Sequence, residues 1–587
     1  MTKRREFLSS LAAVAACGPT LLNRARADEV NNMTKPVIRG RSVAATVHPL
    51  ASLAAVSMFK LGGNAVDAAA AAALCLGVVD GHNSGIGGGC LILIRLADGS
   101  THAIDGRETA PRLAHKNMYL RNGVGDVKLS QDGPLACGVP GQIAALKSAH
   151  SRFGKLPWQD LFEPAIRAAY DGIAMSSAVA ASIKSEEQVL RGFASSSAVL
   201  FKADGAPYVA DDHWVQRDLA GTLTNIANKG DDWFYQGEFA DRCSRFIKEQ
   251  GGILESKDFS DYQAKDRPVL KSEYRGNQVL GFPPPSSGGL HILQMLQMLG
   301  RFSMKEVSES GRTASFYHLL AEAMKLAFAD RAYYLGDSDF VDVPSFLAST
   351  EYTNELARKI DLSKATKVAG HIPSQGSSLD DEKKHTTHLS TADSQGNWVA
   401  LTATVNTSWG NKMVFPGTGV MMNNEMDDFS VSPGVPNAFG LIGSEANSVE
   451  PGKRPLSSMS PSIVLDSGGN PILACGAAGG PRIINATLQT IVRCLDYGMS
   501  VGDAIGESRV HHQWQPDTLF CEGSLGGLYQ ANLVNEQLIG ELKKRGHNVK
   551  VSGSLAVAQG IQRRKDAGEL EAACDPRSGG RAAMVEK

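Results

Sequence analysis

Two threonines, Thr386 and Thr387, stand between His385 and His388, where the charged run "DDEKK" gives way to a strand-like pattern. A hydroxyl is a weak nucleophile near neutral pH and needs a base within hydrogen-bond reach. A threonine at a chain terminus carries its own base, because an α-amine has a pKa of about 7.7–8.0 and suits proton transfer near neutrality. A mid-chain threonine has only an amide nitrogen, which cannot act as a base. This mechanism therefore requires a cut just before Thr386 that turns it into an amino-terminal nucleophile, and a loose loop ending at a strand-initial threonine is the layout such a cut would need. The structural alternative is plain β propensity, since threonine favours strands.

Other chemistries find less support. There is no GxSxG elbow for a serine hydrolase. "GIGGGC" from Gly85 has Cys90 where a dinucleotide fingerprint needs its third glycine. No HExxH occurs, and His385 and His388 have no Cys or carboxylate partner at zinc-site spacing.

The elements that must position Thr386 can be read on either side of it. "THLSTAD" and "WVALTATV" flank the turn "SQGN", "SIVLD" and "PILACG" flank "SGGN", and "AVAQGIQ" and "GELEAAC" flank a third polar turn. "PRIINATLQTIVRCLDYG" and "NEQLIGELKKRG" carry helical periodicity. Upstream, two helix patterns are broken by Gly62 and Gly63, and the second is alanine-rich enough to be a close-packed core helix. Cys90 to Leu96 and Thr101 to Asp105 then form a hairpin around Asp98 and Gly99. The stretch from about Gly141 to Asp330 reads as mostly helical. Asp361 to His385 is rich in Ser, Gly, Lys and Asp, without periodicity, and reads as a mobile linker.

The 587 residues suffice for several domains of roughly 150 residues, or for one large layered α/β unit. A net charge of −2 recruits neither nucleic acid nor an acidic membrane surface. Nine scattered cysteines without a CxxC pair read as buried small hydrophobes rather than a disulfide or zinc framework.

Residues 1–27 read as an export signal, with a basic start, an apolar run and the small-residue site "ARA" ending at Ala27. Arg4 and Arg5, followed by "EFL", resemble a twin-arginine signal, which implies a periplasmic or secreted protein. "VAAC" looks like a lipoprotein box, so a lipid anchor at Cys17 is an alternative. No other apolar run reaches the ~20 residues needed to span a bilayer.

"DGRETAP", "PPPSSGGLHI", "AEAMKLAFADRAYYLGDSDFVDVP", "TTHLSTAD", "NNEMDDFS", "KRPLSSMSPSIV" and "GAAGGPRI" resemble, in order, signature blocks of the gamma-glutamyltranspeptidase (glutathione hydrolase) family. The likeness runs from about residue 36 to Arg577. It implies an N-terminal-nucleophile hydrolase with a four-layer αββα sandwich. It also implies a proenzyme that cuts itself into a large subunit, 28–385, and a small subunit, 386–587, which stay together as a heterodimer.

The resemblance carries over residue by residue. Thr386 matches the nucleophile, and His385–Thr386 the bond that is cut. Thr404 matches the supporting hydroxyl, and Gly479 and Gly480 the oxyanion hole. Arg107 matches the holder of the substrate α-carboxylate, assisted by Ser457 and Ser458. Asn406, Glu425 and Asp428 match the group around the α-ammonium. Phe439 stands at the aromatic gate of a lid loop that only some members have. Gly106 departs from the bulkier residues common at its position, and Glu425 occupies a position that varies between Gln and Glu.

The implied reaction transfers a γ-glutamyl group from glutathione or a related amide, through a threonine ester, to water or to an amino-acid or dipeptide acceptor. It needs no metal and no cofactor. One alternative is a glutaryl or cephalosporin acylase of the same fold, whose substrates lack the α-amine. The other is an unprocessed, inactive exported amino-acid-binding protein.

Overall fold

Alanine builds the innermost helix. Ala65–Val79 has the best helix former at seven of its fifteen positions, and all but one of its residues are buried. Asn64 accepts from the N–H groups of Val66 and Asp67, while the Asp67 carboxylate accepts from the N–H of Asn64, a reciprocal cap that fixes the start. The preceding helix, Pro49–Lys60, packs along it.

The computed structural model describes residues 33–370, 385–432, 434–523, 534–564 and 568–585. The export segment with Cys17, and residues 371–384 of the linker, lie outside the described residues.

Two seven-stranded antiparallel sheets form the centre. The first runs in the order Arg581–Met584, Val43–Thr46, Thr387–Ala392, Trp398–Thr404, Gly89–Arg95, Thr101–Gly106, Lys265–Arg267. The second runs Val37–Gly40, Leu570–Cys574, Val557–Arg563, Pro471–Ala478, Ser462–Leu465, Asn277–Gly281, Leu270–Tyr274. The sheets meet through Thr387–Ala392 and Trp398–Thr404 packed on Pro471–Ala478. Ala65–Val79 covers the outer face of the first sheet, and Arg482–Asp496, Ser287–Leu299 and Val501–Gly506 cover the second. This is the αββα sandwich. Every residue of Thr387–Ala392 and Trp398–Thr404 is buried, because both faces of these strands are covered.

The expected hairpins form with the expected turns. The stretch read as mostly helical also holds a hairpin, Leu270–Tyr274 paired with Asn277–Gly281, at the edge of the second sheet. Its outer strand is polar and half exposed, which hides strand periodicity. The eight described cysteines are all free and buried.

The root of the linker corrects another expectation. Residues 361–370 have no regular structure, yet they are pinned rather than loose. His318 Nε2 bonds the Asp361 carbonyl at 2.7 Å, Lys325 bonds that of Thr366 at 2.9 Å, and Trp514 Nε1 bonds that of Val368 at 3.0 Å. Spacing along the chain could not reveal these partners.

Candidate active site

The first hairpin delivers two hydroxyls to one point. Thr387 pairs with Ala403 across the strands, so Thr386 and Thr404 face each other at its open end. Their Oγ1 atoms lie 3.0 Å apart. Thr404 Oγ1 also accepts the backbone N–H of Asn406 at 2.8 Å, which ties the second hydroxyl to the backbone just beyond its strand. Thr386 is buried and held at φ +104°, a left-handed conformation that strains a β-branched residue by roughly 1–3 kcal/mol.

Gly479 and Gly480, at φ +137° and +58°, follow strand Pro471–Ala478 and precede helix Arg482–Asp496. That helix start presents the positive end of its dipole. Gly480 has no room for a side chain, since a Cβ there would lie 2.7 Å from Phe439 Cδ1. Thr386, Thr404 and Gly480 line one cleft of about 290 Å³ with Arg107, Asn406, Glu425, Asp428, Phe439, Ser457 and Ser458. The residues expected from sequence thus converge, with Gly479 one position from the wall. A second space, about 410 Å³ near Trp214 and Trp409, is lined by no titratable residue.

Arg107 follows strand Thr101–Gly106 into the cleft. Gly106 is required there, because a Cβ would come within 2.5 Å of Ala145 Cβ. Arg107 donates through Nε to the Pro455 carbonyl at 3.0 Å, through Nη1 to Glu425, and through Nη2 to Asp428 at 2.5 Å. The cationic and anionic arms of the site therefore close on one another. Burial acts to lower the Arg107 pKa, but the Glu425, Asp428 and Glu108 carboxylates outweigh it and hold the guanidinium above its ordinary value. Burial raises Glu425 well above the usual carboxylate range despite Arg107.

The turn Glu425–Asp428 is tied to the loop that carries Phe439. Asp428 accepts from Asn437 Nδ2 at 3.2 Å, and Asp427 accepts from the Ala438 N–H at 2.9 Å. Asn406, at φ +79°, donates from Nδ2 to the Asn424 carbonyl at 2.9 Å. On the far wall the Ser457 carbonyl accepts from the Ser287 N–H and hydroxyl, and the Ser458 hydroxyl accepts from Arg331 at 3.2 Å.

A buried hydroxyl pair, a helix start and a paired plus–minus cluster share one cleft, an arrangement that suits acyl transfer from a zwitterionic amide. A family model described as gamma-glutamyltranspeptidase matches residues 51–585. The chain belongs to the gamma-glutamyltranspeptidase family.

Relatives within and around this family agree. The chain is 40% identical over 546 residues to a glutathione hydrolase proenzyme of Escherichia coli, covering 92% of this chain and 91% of the relative. It superposes on a cephalosporin acylase from Bacillus halodurans with TM-score 0.82 at 26% identity, over 94% of this chain and 97% of that one. A Helicobacter pylori gamma-glutamyltranspeptidase chain matches at 36% identity and TM-score 0.53, over 56% of this chain and 96% of that one.

Sequence reasoning missed several buried charges of this gamma-glutamyltranspeptidase-family site. Glu108, beside Arg107, is raised to about 7 by burial, against the pull of the guanidinium. Asp80 accepts from the Thr387 hydroxyl, directly after the nucleophile candidate, and burial pushes it up to about 7. His388 spends both ring nitrogens on the Thr402 and Ser390 hydroxyls, which removes the His385–His388 metal pair. His318, Glu322 and His547 do come together. Lys325 already holds Glu322 at 2.6 Å, and His318 bonds His547 at 2.7 Å, so the group serves as a polar anchor for the linker root.

Proposed function

We propose that this chain is a self-cleaving γ-glutamyl hydrolase and transferase acting on glutathione and related γ-glutamyl amides. The observation that carries the reading is the Thr386–Thr404 hydroxyl pair in one cleft with the Arg107–Glu425–Asp428 cluster.

Maturation starts at the His385–Thr386 bond. Thr386 Oγ1 attacks the His385 carbonyl, the acyl group moves from nitrogen to oxygen, and water hydrolyses the ester. The cut yields subunits 28–385 and 386–587, held together by the strand pairings that join them. The strain at Thr386 supports this reading, because a free amino terminus no longer has a constrained φ.

In turnover, the Thr386 amine takes the Oγ1 proton as the oxygen attacks the γ-carbonyl carbon. Gly479 and Gly480 N–H groups receive the oxyanion, and Thr404 steadies the attacking oxygen. The amide nitrogen leaves as an amine with that proton, cysteinylglycine in the case of glutathione. Water or an acceptor amine then attacks the ester and returns the proton to Thr386. Arg107, with Ser457 and Ser458, holds the α-carboxylate, while Asn406, Glu425 and Asp428 hold the α-ammonium. Substrate entry exchanges the internal ion pairs of Arg107 for pairs with the zwitterion. Phe439, over Gly480, gates the acceptor side.

The Bacillus halodurans acylase supports a second reading, removal of glutaryl-type groups. The acidic turn favours the first, since a glutaryl group offers it no ammonium. Hydrolysis of γ-glutamyl and glutaryl anilides by one preparation separates them: preference for glutaryl would overturn the proposal. We further read residues 1–27 as the signal that exports the chain to the periplasm or beyond. That segment supports the reading by sequence pattern alone.

A further inference from the structure

Helix Ala314–Tyr334 brings a second guanidinium to the back of the cleft. Arg331 is 4% exposed. Its Nε donates to Ser287 Oγ at 3.0 Å and its Nη2 to Ser458 Oγ at 3.2 Å. Among the described residues no carboxylate stands within ion-pair distance of it. Its neighbour Asp330 instead accepts from Gln294 at 2.7 Å and from Tyr352 at 2.9 Å. A buried cation without a counter-ion is costly, and Arg107 in the same wall is neutralised twice over. Burial lowers Arg331 to about 10, with Asp428 acting against the shift and Arg107 adding to it.

The proton directions follow from chemistry. A guanidinium only donates, so both serine oxygens must accept from Arg331 and send their own protons elsewhere. Ser287 sends its proton to the Ser457 carbonyl at 2.8 Å, which fixes the backbone of the Ser457–Ser458 step. The Ser458 hydroxyl has no other partner among the described residues, so its proton is available to the cleft that Ser458 lines.

We propose that Arg331 is a positioning residue for the substrate α-carboxylate, orienting Ser458 as a donor and supplying the missing positive charge behind it. The proposal rests on the γ-glutamyl reading above. Arg107 gives up its internal pairs to bind the carboxylate, whereas Arg331 has none to give up. The incoming anion is then the counter-ion that the Arg331 site lacks.

The test compares L-γ-glutamyl p-nitroanilide with 4-aminobutyryl p-nitroanilide, which keeps the ammonium and lacks the α-carboxylate. Arg331→Gln should mature normally. Its KM for the γ-glutamyl anilide should rise about ten- to a hundredfold, the worth of one hydrogen bond to a charged group, with kcat changed far less. Its kcat/KM on the aminobutyryl anilide should stay within about threefold of wild type, since no carboxylate contact is lost there. Arg331→Lys, which keeps charge and loses the fork, should recover part of the difference. It also carries the test if the glutamine variant fails to fold. Parallel loss on both anilides, or an unchanged KM, would overturn the proposal. If Arg107→Gln abolishes the wild-type preference for the carboxylate and Arg331→Gln leaves it, the γ-glutamyl reading stands and Arg331 is structural. If the wild type shows no such preference, the γ-glutamyl reading fails and takes the proposal with it.

Discussion

The hydroxyl oxygens of Thr386 and Thr404 sit 3.0 Å apart across the open end of one antiparallel hairpin. Thr404 ends one strand and Thr386 stands immediately before the strand paired with it, so the register of that pair sets their separation. A one-residue slip would turn every side chain of the strand to the other face and destroy the pair. The Asn406 N–H, bonded to Thr404 Oγ1, holds the second hydroxyl oxygen in place.

Thr404→Val keeps the shape and removes that hydroxyl. Its kcat on a γ-glutamyl anilide should fall about a hundredfold, the usual loss for one donor to a reacting oxygen, and Thr404→Ser should restore most of it. Steady-state rates on matured protein measure this. A valine variant with wild-type kcat would leave Thr404 only a strand residue.

Asp428→Asn separates recognition of the ammonium from catalysis. The variant should mature, because the hydroxyl pair and the glycine turn are untouched. Its kcat/KM on γ-glutamyl anilides should fall about tenfold or more, since a charge-assisted hydrogen bond is roughly twice as strong as a neutral one. On a glutaryl anilide the same constant should change little. A parallel fall on both substrates would make Asp428 part of the catalytic geometry instead.

Much of this was legible before any coordinates. The alanine run announced its helix, and the turns "SQGN" and "SGGN" announced the hairpins that carry Thr386 and Gly479. Arg331 was not legible. It stands in the helical stretch "AFADRAYY" as any solvated charge would, and its partner Ser458 lies 127 residues away. Asp80 was hidden in the same way, since Thr387 lies 307 residues beyond it. Local pattern reports which face of an element is apolar, and it says nothing of what a distant segment lays over a charge. The Leu270–Tyr274 hairpin strand was missed for the opposite reason: at a sheet edge, half exposed, it lacks the apolar alternation that marks a strand.

Asp80 makes a pH prediction. Burial lifts its carboxyl from 3.8 to about 7, against hydrogen bonds from Thr387 and Asn83. Its folded pKa lies above the unfolded value. The stability it contributes is therefore fully present below the unfolded pKa and is lost as pH rises through the folded one. Asp80→Asn keeps the shape and cannot ionise. The melting temperature of the variant relative to wild type should climb between about pH 4 and pH 7 and then level off, an effect of a few kcal/mol at most. A difference flat across that range would show that Asp80 ionises normally in the fold.

The central claim is that Thr386 becomes the amino terminus of a working subunit. Intact-mass measurement and amino-terminal sequencing of purified wild type, beside Thr386→Ala, test it most directly. The wild type should yield two pieces, the smaller beginning at Thr386, with γ-glutamyl anilide hydrolysis appearing as the cut proceeds. Thr386→Ala should remain one inactive chain, because no hydroxyl can attack the His385 carbonyl. A wild-type protein that turns over γ-glutamyl anilide as a single uncut chain would contradict the account.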